Sequence, residues 1–313
     1  MKLDLNLLKR LLVIDHPSKQ EWPMLSAIIN ECYKIGNVEF EIDSFANIFV
    51  TKNTSNPDYY VGVIAHTDCV LQHNNKSINV KNGKIFGRNP VNEKQIGLGA
   101  DDTVGVCIAL QLLKAFPDLK VCFTTEEEIG FNGADTAAEN INFFHDVSYL
   151  IQADRHGSSD LITFTNGIYS ASEDWLQEVT PIMCKHGYKE EYGIGTDVGV
   201  ISEKLELSGV NISCGYYSEH TDKEYIVISE TQKCLDFMED IIKNVPLDRQ
   251  YEIKIDYKAY NRYFGSKSYE PNYKFDDTID DGPDDEMHIP CDFCKDYDCM
   301  NCPHDGWWNE SKW

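Results

Sequence analysis

Residues 59–68 read Tyr-Tyr-Val-Gly-Val-Ile-Ala-His-Thr-Asp. The first seven are a run of β-formers without polar alternation, which suits a central strand buried on both faces. The run ends abruptly in His66-Thr67-Asp68, three polar side chains. Two further stretches repeat that plan. Leu119–Thr125 is a buried-strand run followed by Glu126-Glu127-Glu128, and Ser148–Ala153 is one followed by Asp154. Val210–Tyr217 reads as a fourth such strand, closing near Ser218-Glu219-His220, and Val38–Ile42 alternates as a half-exposed strand.

Helical patterns separate these strands. Leu3, Leu7, Leu8, Leu11 and Leu12 recur at helical spacing. Ser18 with Glu21 has the form of a capping box opening a helix through Tyr33, and Gly36 is its stop. Asp102–Phe116 reads as a helix ended by Pro117. Gly133–Asn140, Ser172–His186 and Ser229–Asn244 read as three more, with Trp175, Val179 and Met183 on one stripe. Gly195-Thr196-Asp197-Val198 starts another, with Thr196 or Asp197 as cap. Strands alternating with helices predict an α/β fold, a mixed and largely parallel sheet sandwiched between helices. Residues 1–246 read as one α/β domain, 247–290 as an acidic extension and linker, and 291–313 as a small cysteine-rich tail.

In α/β sheets, ligands bind beyond the carboxyl ends of the strands. Here His66, Glu128, Asp154 and His220 follow strand ends, and Gly99-Ala100-Asp101-Asp102 precedes a helix. A lone histidine there is ordinarily structural, but five imidazole or carboxylate sites at successive ends are not. Burying several carboxylates together is costly unless a cation neutralises them. His, Asp, Glu, Asp and His suit two zinc ions sharing one carboxylate, and cobalt or manganese suits the same donors. Two such ions activate a water and polarise a carbonyl. One of the consecutive glutamates is then free to act as base. His156 reads either as a substrate contact or as a surface residue.

In order and spacing, these motifs resemble the co-catalytic zinc exopeptidase superfamily, which includes peptidase T, glutamate carboxypeptidases, bacterial leucine aminopeptidases and related acylases. The resemblance rests on His66-Thr67-Asp68, Gly99-Ala100-Asp101-Asp102, Glu126-Glu127-Glu128-Ile129-Gly130, Asp154 and Glu219-His220-Thr221, and spans residues 61–230. It implies that His66 and Asp154 hold one zinc, that Glu128 and His220 hold the other, and that Asp101 bridges them. Asp68 would accept a hydrogen bond from His66. Glu128-Ile129-Gly130 matches the family's ligand glutamate, so Glu127 rather than Glu126 would be the catalytic base. The Asp101–Asp102 peptide would be cis. Many members insert a lid domain between the fourth and fifth motifs. Asp154 and His220 lie only 66 positions apart, so no inserted lid domain is expected. The implied function is a zinc-dependent metallopeptidase of short peptides, an exopeptidase of the aminopeptidase kind. An N-acyl amino-acid deacylase would use the same residues. The non-enzymatic rival is an inactive metal-binding adaptor acting through the tail.

Composition narrows the remaining classes. The 313 residues carry 52 acidic and 28 basic side chains, a net charge of −24. That sign repels nucleic acid and anionic membrane surfaces, so neither is an expected partner. No segment nears the roughly 18 apolar residues of a membrane span. The N-terminal stretch mixes charge into its apolar positions, unlike a signal peptide. The expectation is a cytoplasmic protein acting on a small peptide or acyl-amino-acid substrate. Asp276–Glu286 holds seven acidic residues and no base, which reads as a solvated linker. Beyond it, Cys291, Cys294, Cys299 and Cys302 form two Cys-x2-Cys hooks suited to one structural zinc. An iron–sulfur cluster, disulfides and unligated thiols are the alternatives. Trp307, Trp308 and Trp313 beside them suit a protein partner.

Overall fold

The computed structural model describes residues 1–71 and 75–255. The chain opens with helices α1 (Leu5–Leu12) and α2 (Trp22–Ile35), then strands β1 (Val38–Ile42), β2 (Ile48–Lys52) and β3 (Tyr60–His66). Three short strands follow, β4 (Ser77–Lys81), β5 (Lys84–Arg88) and β6 (Gln95–Ile96), before helix α3 (Ala100–Ala115). Next come β7 (Leu119–Thr124), α4 (Asn132–Ala137), α5 (Ile141–Phe144), β8 (Val147–Arg155), β9 (Asp160–Thr165) and β10 (Ile168–Tyr169). The remainder is α6 (Glu173–His186), β11 (Lys189–Tyr192), α7 (Asp197–Leu205), β12 (Gly209–Ser213), β13 (Tyr216–Tyr217), β14 (Tyr225–Val227) and α8 (Ile228–Asn244).

The main sheet runs β1-β2-β7-β3-β8-β12-β9-β10, with β11 also paired to β9. Its centre, β7-β3-β8-β12, is parallel, and the flanks are mostly antiparallel. Side-chain alternation along β3 explains its unbroken apolar run. Val61, Val63 and Ala65 join the larger hydrophobic cluster with α1, α2, α3, α6 and α8, whereas Ile64 joins a second cluster with α4, α5 and α7. Both faces are therefore covered, as the sequence predicts. No lid interrupts the described residues between Asp154 and His220; that span builds β9 to β13 and the helices among them.

Three local expectations are corrected. Ser18 and Glu21 form no capping box. The helix starts at Trp22 with Pro23 in its first turn, and no side chain caps it. Proline lacks the N–H that a cap would satisfy and already has helical φ. Ser18 instead donates to Asp68 at 2.7 Å. Val210–Tyr217 is not one strand. The chain turns at Gly215, where φ is +89° and a Cβ would lie 2.7 Å from the Thr231 amide. It passes there from the main sheet into a second sheet, β13-β14-β5-β4, to which β6 adds through β5. That small sheet had no clear apolar signature, because its strands are short and half-exposed. Thr196 stands at the N-cap of α7 but makes no capping bond; its hydroxyl is used elsewhere.

The chain continues to pack after Pro246. Tyr251 and Ile253 are buried, and the Tyr251 and Ile253 amides bond to the Ser148 and Glu206 carbonyls. Trp175 is fully buried, its ring centroid 5.7 Å from that of Tyr149. Trp175→Ala is expected to lower unfolding free energy by about 3–5 kcal/mol, read as a lower urea midpoint at unchanged slope.

Candidate metal centre

All seven residues singled out in the catalytic motifs meet at the carboxyl ends of the parallel strands. His66 closes β3, the three glutamates follow β7, Asp154 lies at the end of β8, and His220 follows β13. Asp101 enters at the start of α3 across a cis peptide to Asp102, as expected. Its two oxygens face different partners. Oδ1 lies 3.0 Å from His66 Nε2, and Oδ2 lies 3.3 Å from His220 Nε2. His66 Nε2 is also 3.4 Å from Asp154 Oδ1, and His220 Nε2 is 2.9 Å from Glu128 Oε1. Two donor sets, His66–Asp154 and His220–Glu128, thus meet at one carboxylate.

The glutamate turn separates its three members. Glu126 adopts φ +54°, and its side chain accepts from Asn132 at the surface. Glu127 and Glu128 turn inward and share a cluster with His66 in which single ligand atoms lie within 4.8 Å of one another. Asp68 holds this turn. Its Oδ1 accepts from the Glu127 amide at 3.0 Å, and its Oδ2 accepts from the Glu128 amide at 3.2 Å and from Ser18. His66 Nδ1 sits 3.1 Å from the Asp68 carbonyl and 3.3 Å from Asp68 Oδ1. That contact fixes the ring and leaves Nε2 facing the centre.

Electrostatics follow from this crowding. Burial pushes the Glu127 carboxyl up to about 10 and the Asp154 carboxyl up to about 7, with neighbouring carboxylates adding to both. Burial likewise raises Asp102 well above the carboxylate range. Against the upward push of burial, hydrogen bonds from His220 and His66 hold Asp101 below it. Hydrogen bonds to Asp101 and Glu128 raise His220 to about 11. Imidazole nitrogen and carboxylate oxygen, gathered this closely, are the donor set that a zinc ion takes. A cation in their midst would offset the like-charge cost of gathering these carboxylates.

Several supporting residues carried no readable signal. Asp154 accepts from Gln152 at 3.1 Å, Thr196 at 3.2 Å and Tyr216 at 3.3 Å, and its main chain pairs with the Asn211 side chain. Asp102 accepts from the His66 amide at 3.2 Å and the Gly105 amide at 2.9 Å. A Cβ at Gly105 would fall 2.3 Å from that carboxylate, so only glycine admits the contact. Beside the centre lies a cavity of about 500 Å³. Its lining includes Asp101, Glu128, Asp154 and His220, the apolar Phe131 and Ile194, and the polar Arg155, His156 and Glu219. His156 thus lines the cavity, with Nδ1 2.7 Å from Glu219 Oε1.

Residues 47–223 match peptidase family M28. The chain belongs to that family. As an M28 peptidase it falls within the co-catalytic zinc exopeptidase superfamily that its motifs resemble, and it is a metallopeptidase. No curated protein sequence matches it. Among solved structures it resembles the aminopeptidase PepT of Bacillus cereus, with TM-score 0.64 and 16% identity over 77% of this chain and 97% of that one. It is similar to a tripeptidase of Staphylococcus aureus at TM-score 0.62 and 16% identity, over 76% and 96% of the two chains. An aminopeptidase of Desulfurococcus kamchatkensis gives TM-score 0.59 and 15% identity over 78% and 95%. These likenesses show a shared fold. Among the described residues no helix is long and apolar enough to cross a membrane. The four tail cysteines lie outside the described residues.

Asp68→Asn would turn an amide group toward donors that now meet carboxylate oxygens. The expected result is a roughly 10–100-fold loss of peptidase activity with the fold retained, measured by steady-state kinetics beside circular dichroism.

Proposed function

We propose that this M28 peptidase is an aminopeptidase of short peptides working through two zinc ions. The observation that carries the reading is Asp101, with one oxygen toward each donor set. His66 and Asp154 would hold one ion, His220 and Glu128 the other, and Asp101 would bridge. When bound, the ion pair polarises the scissile carbonyl and lowers the pKa of the attacking water. Glu127 stands in the same cluster, coordinated to neither set in this assignment, and burial raises its affinity for a proton. It would take the water's proton and return it to the leaving amine. Asp68 would keep His66 Nε2 aimed at the ion and hold the amides that orient Glu127 and Glu128.

The cavity volume suits a short peptide rather than a folded protein. The choice of an aminopeptidase draws on the names of the similar folds and on the absence of a lid in the described region. A panel of dipeptides, tripeptides, carboxypeptidase substrates and acyl-amino acids tests it, and turnover of the acyl-amino acids alone would assign a deacylase. All seven described cysteines are free and six are buried, which supports a reducing, cytoplasmic setting.

Glu127→Gln keeps size and removes the base. It is expected to lower kcat by about 10²–10⁴-fold with zinc content unchanged, whereas Glu126→Gln should stay near wild type. The reverse outcome would shift the base by one residue.

We also propose that Cys291, Cys294, Cys299 and Cys302 hold one structural zinc apart from catalysis. A chain ending before Asp276 should fold and hydrolyse its substrate. The full chain should bind one more zinc equivalent than the shortened one, and changing Cys294 and Cys299 together to serine should remove it. Equal zinc content in both chains, purified under reducing conditions, would reject the tail site.

A further inference from the structure

We propose that Glu224 is a positioning residue for the metal centre, one that locks the backbone of the bridging Asp101 to the loop bearing His220. This inference rests on the two-zinc reading above. Glu224 is a carboxylate only 2% exposed, and it belongs to neither donor set. Its Oε2 accepts from the amides of Leu98 and Gly99, both at 2.7 Å. Its Oε1 accepts from Ala100 at 2.8 Å and from Asp101 at 3.3 Å. Four consecutive N–H groups leading into α3 therefore converge on one side chain. Successive backbone N–H groups that converge on one point attract an anion, and here the anion is supplied by the protein itself.

The other end of the same short loop is His220. Its imidazole lies 3.3 Å from Asp101 Oδ2, so residues 220 and 224 grip Asp101 by its carboxylate and by its amide. The segment is held from a further side by Lys76, a buried ammonium donating to the Leu98 carbonyl at 2.8 Å. The Gln95 side chain donates to the Glu224 carbonyl at 3.2 Å. Burying an ionised carboxylate purely for stability is a poor solution, since apolar packing does as well or better. The gain here is directional. Asp101 must present two oxygens to two histidines at once, and its side chain has little freedom to compensate for a displaced backbone. Glu224 removes that displacement before any ion arrives.

Substitution by glutamine separates this role from simple packing. In either orientation the amide nitrogen faces two of the four N–H groups, so one acceptor oxygen becomes an opposed donor and two of the four hydrogen bonds are lost. Zinc affinity of the purified protein, titrated against a chelator without substrate, is expected to fall about 10–100-fold at both ions in Glu224→Gln. Glu224→Asp keeps the charge but withdraws it by one methylene, and should fall between. KM should change little beside kcat. A folded Glu224→Gln protein with wild-type zinc affinity overturns the inference. Should that variant fail to fold, Glu224→Asp and Lys76→Met are titrated in its place, and wild-type affinity in both overturns it equally. Zinc stoichiometry of the wild-type protein separates the two failures. Fewer than two ions there rejects the two-zinc reading, and this inference with it. Two ions there with unchanged variant affinity rejects this inference alone.

Discussion

The structure is organised around a like-charge problem. Asp101, Asp102, Asp154 and Asp68 are all buried, with Glu127 and Glu128 half-buried beside them. Against these six acids stand two imidazoles, His66 and His220. At an effective dielectric of about 20, like charges 4 Å apart repel by roughly 4 kcal/mol. No close-packed α/β core tolerates several such pairs without a remedy. Divalent cations are one remedy. The other is visible in the protein's own hydrogen bonds.

Three of the carboxylates outside the proposed ligand set each accept backbone amides from a segment that bears ligands. Asp68 takes the amides of Glu127 and Glu128, tying the end of β3 to the glutamate turn. Asp102 takes the amide of His66, tying α3 back to β3. Glu224 takes the amides of residues 98–101, tying the last loop to the bridging residue. Asp154 is steadied differently, by Gln152, Thr196 and Tyr216 around its carboxylate. In the proposed assignment, every ligand-bearing segment is therefore strapped to a neighbour through groups outside the ligand set. The acids that make the site expensive also hold it together.

This division explains what was legible in the sequence. The central strands were legible because β3, β7 and β8 are buried on both faces, which leaves an apolar run in the letters. The proposed ligands were legible as candidates because four of them follow strand ends and Asp101 opens a helix, in a fixed order. The straps were not. Ser18 beside Glu21 has a local capping pattern, yet Ser18 serves Asp68, 50 positions away. Glu224 reaches residues more than 120 positions back, and Tyr216 reaches 62. Such bonds exist only once the sheet has brought the segments together, and a window of sequence contains no trace of them. The strand predicted over Val210–Tyr217 failed for a related reason. Its β-forming residues run on to Tyr217, but Gly215 spends its conformational freedom on a change of sheet.

The straps also distinguish the two kinds of metal site proposed for this chain. A catalytic centre must leave its ions a position for water and substrate, so the protein rather than the metal has to maintain the geometry. The hydrogen bonds of Asp68, Asp102 and Glu224 meet that demand, because none of them uses an ion. A structural zinc reverses the dependence, since its binding energy is itself folding energy. Cys291 to Cys302 fits that second pattern. Within those twelve residues the sequence supplies four thiols, a single phenylalanine, a methionine and a tyrosine, with no leucine, isoleucine or valine to build a core. Where apolar residues are this scarce, four thiolates closing on one cation would be the strongest cohesive interaction open to the segment. On the two proposals together, residues 1–255 would order their ligands by hydrogen bonds and then accept metal, whereas the tail cysteines would depend on the metal itself.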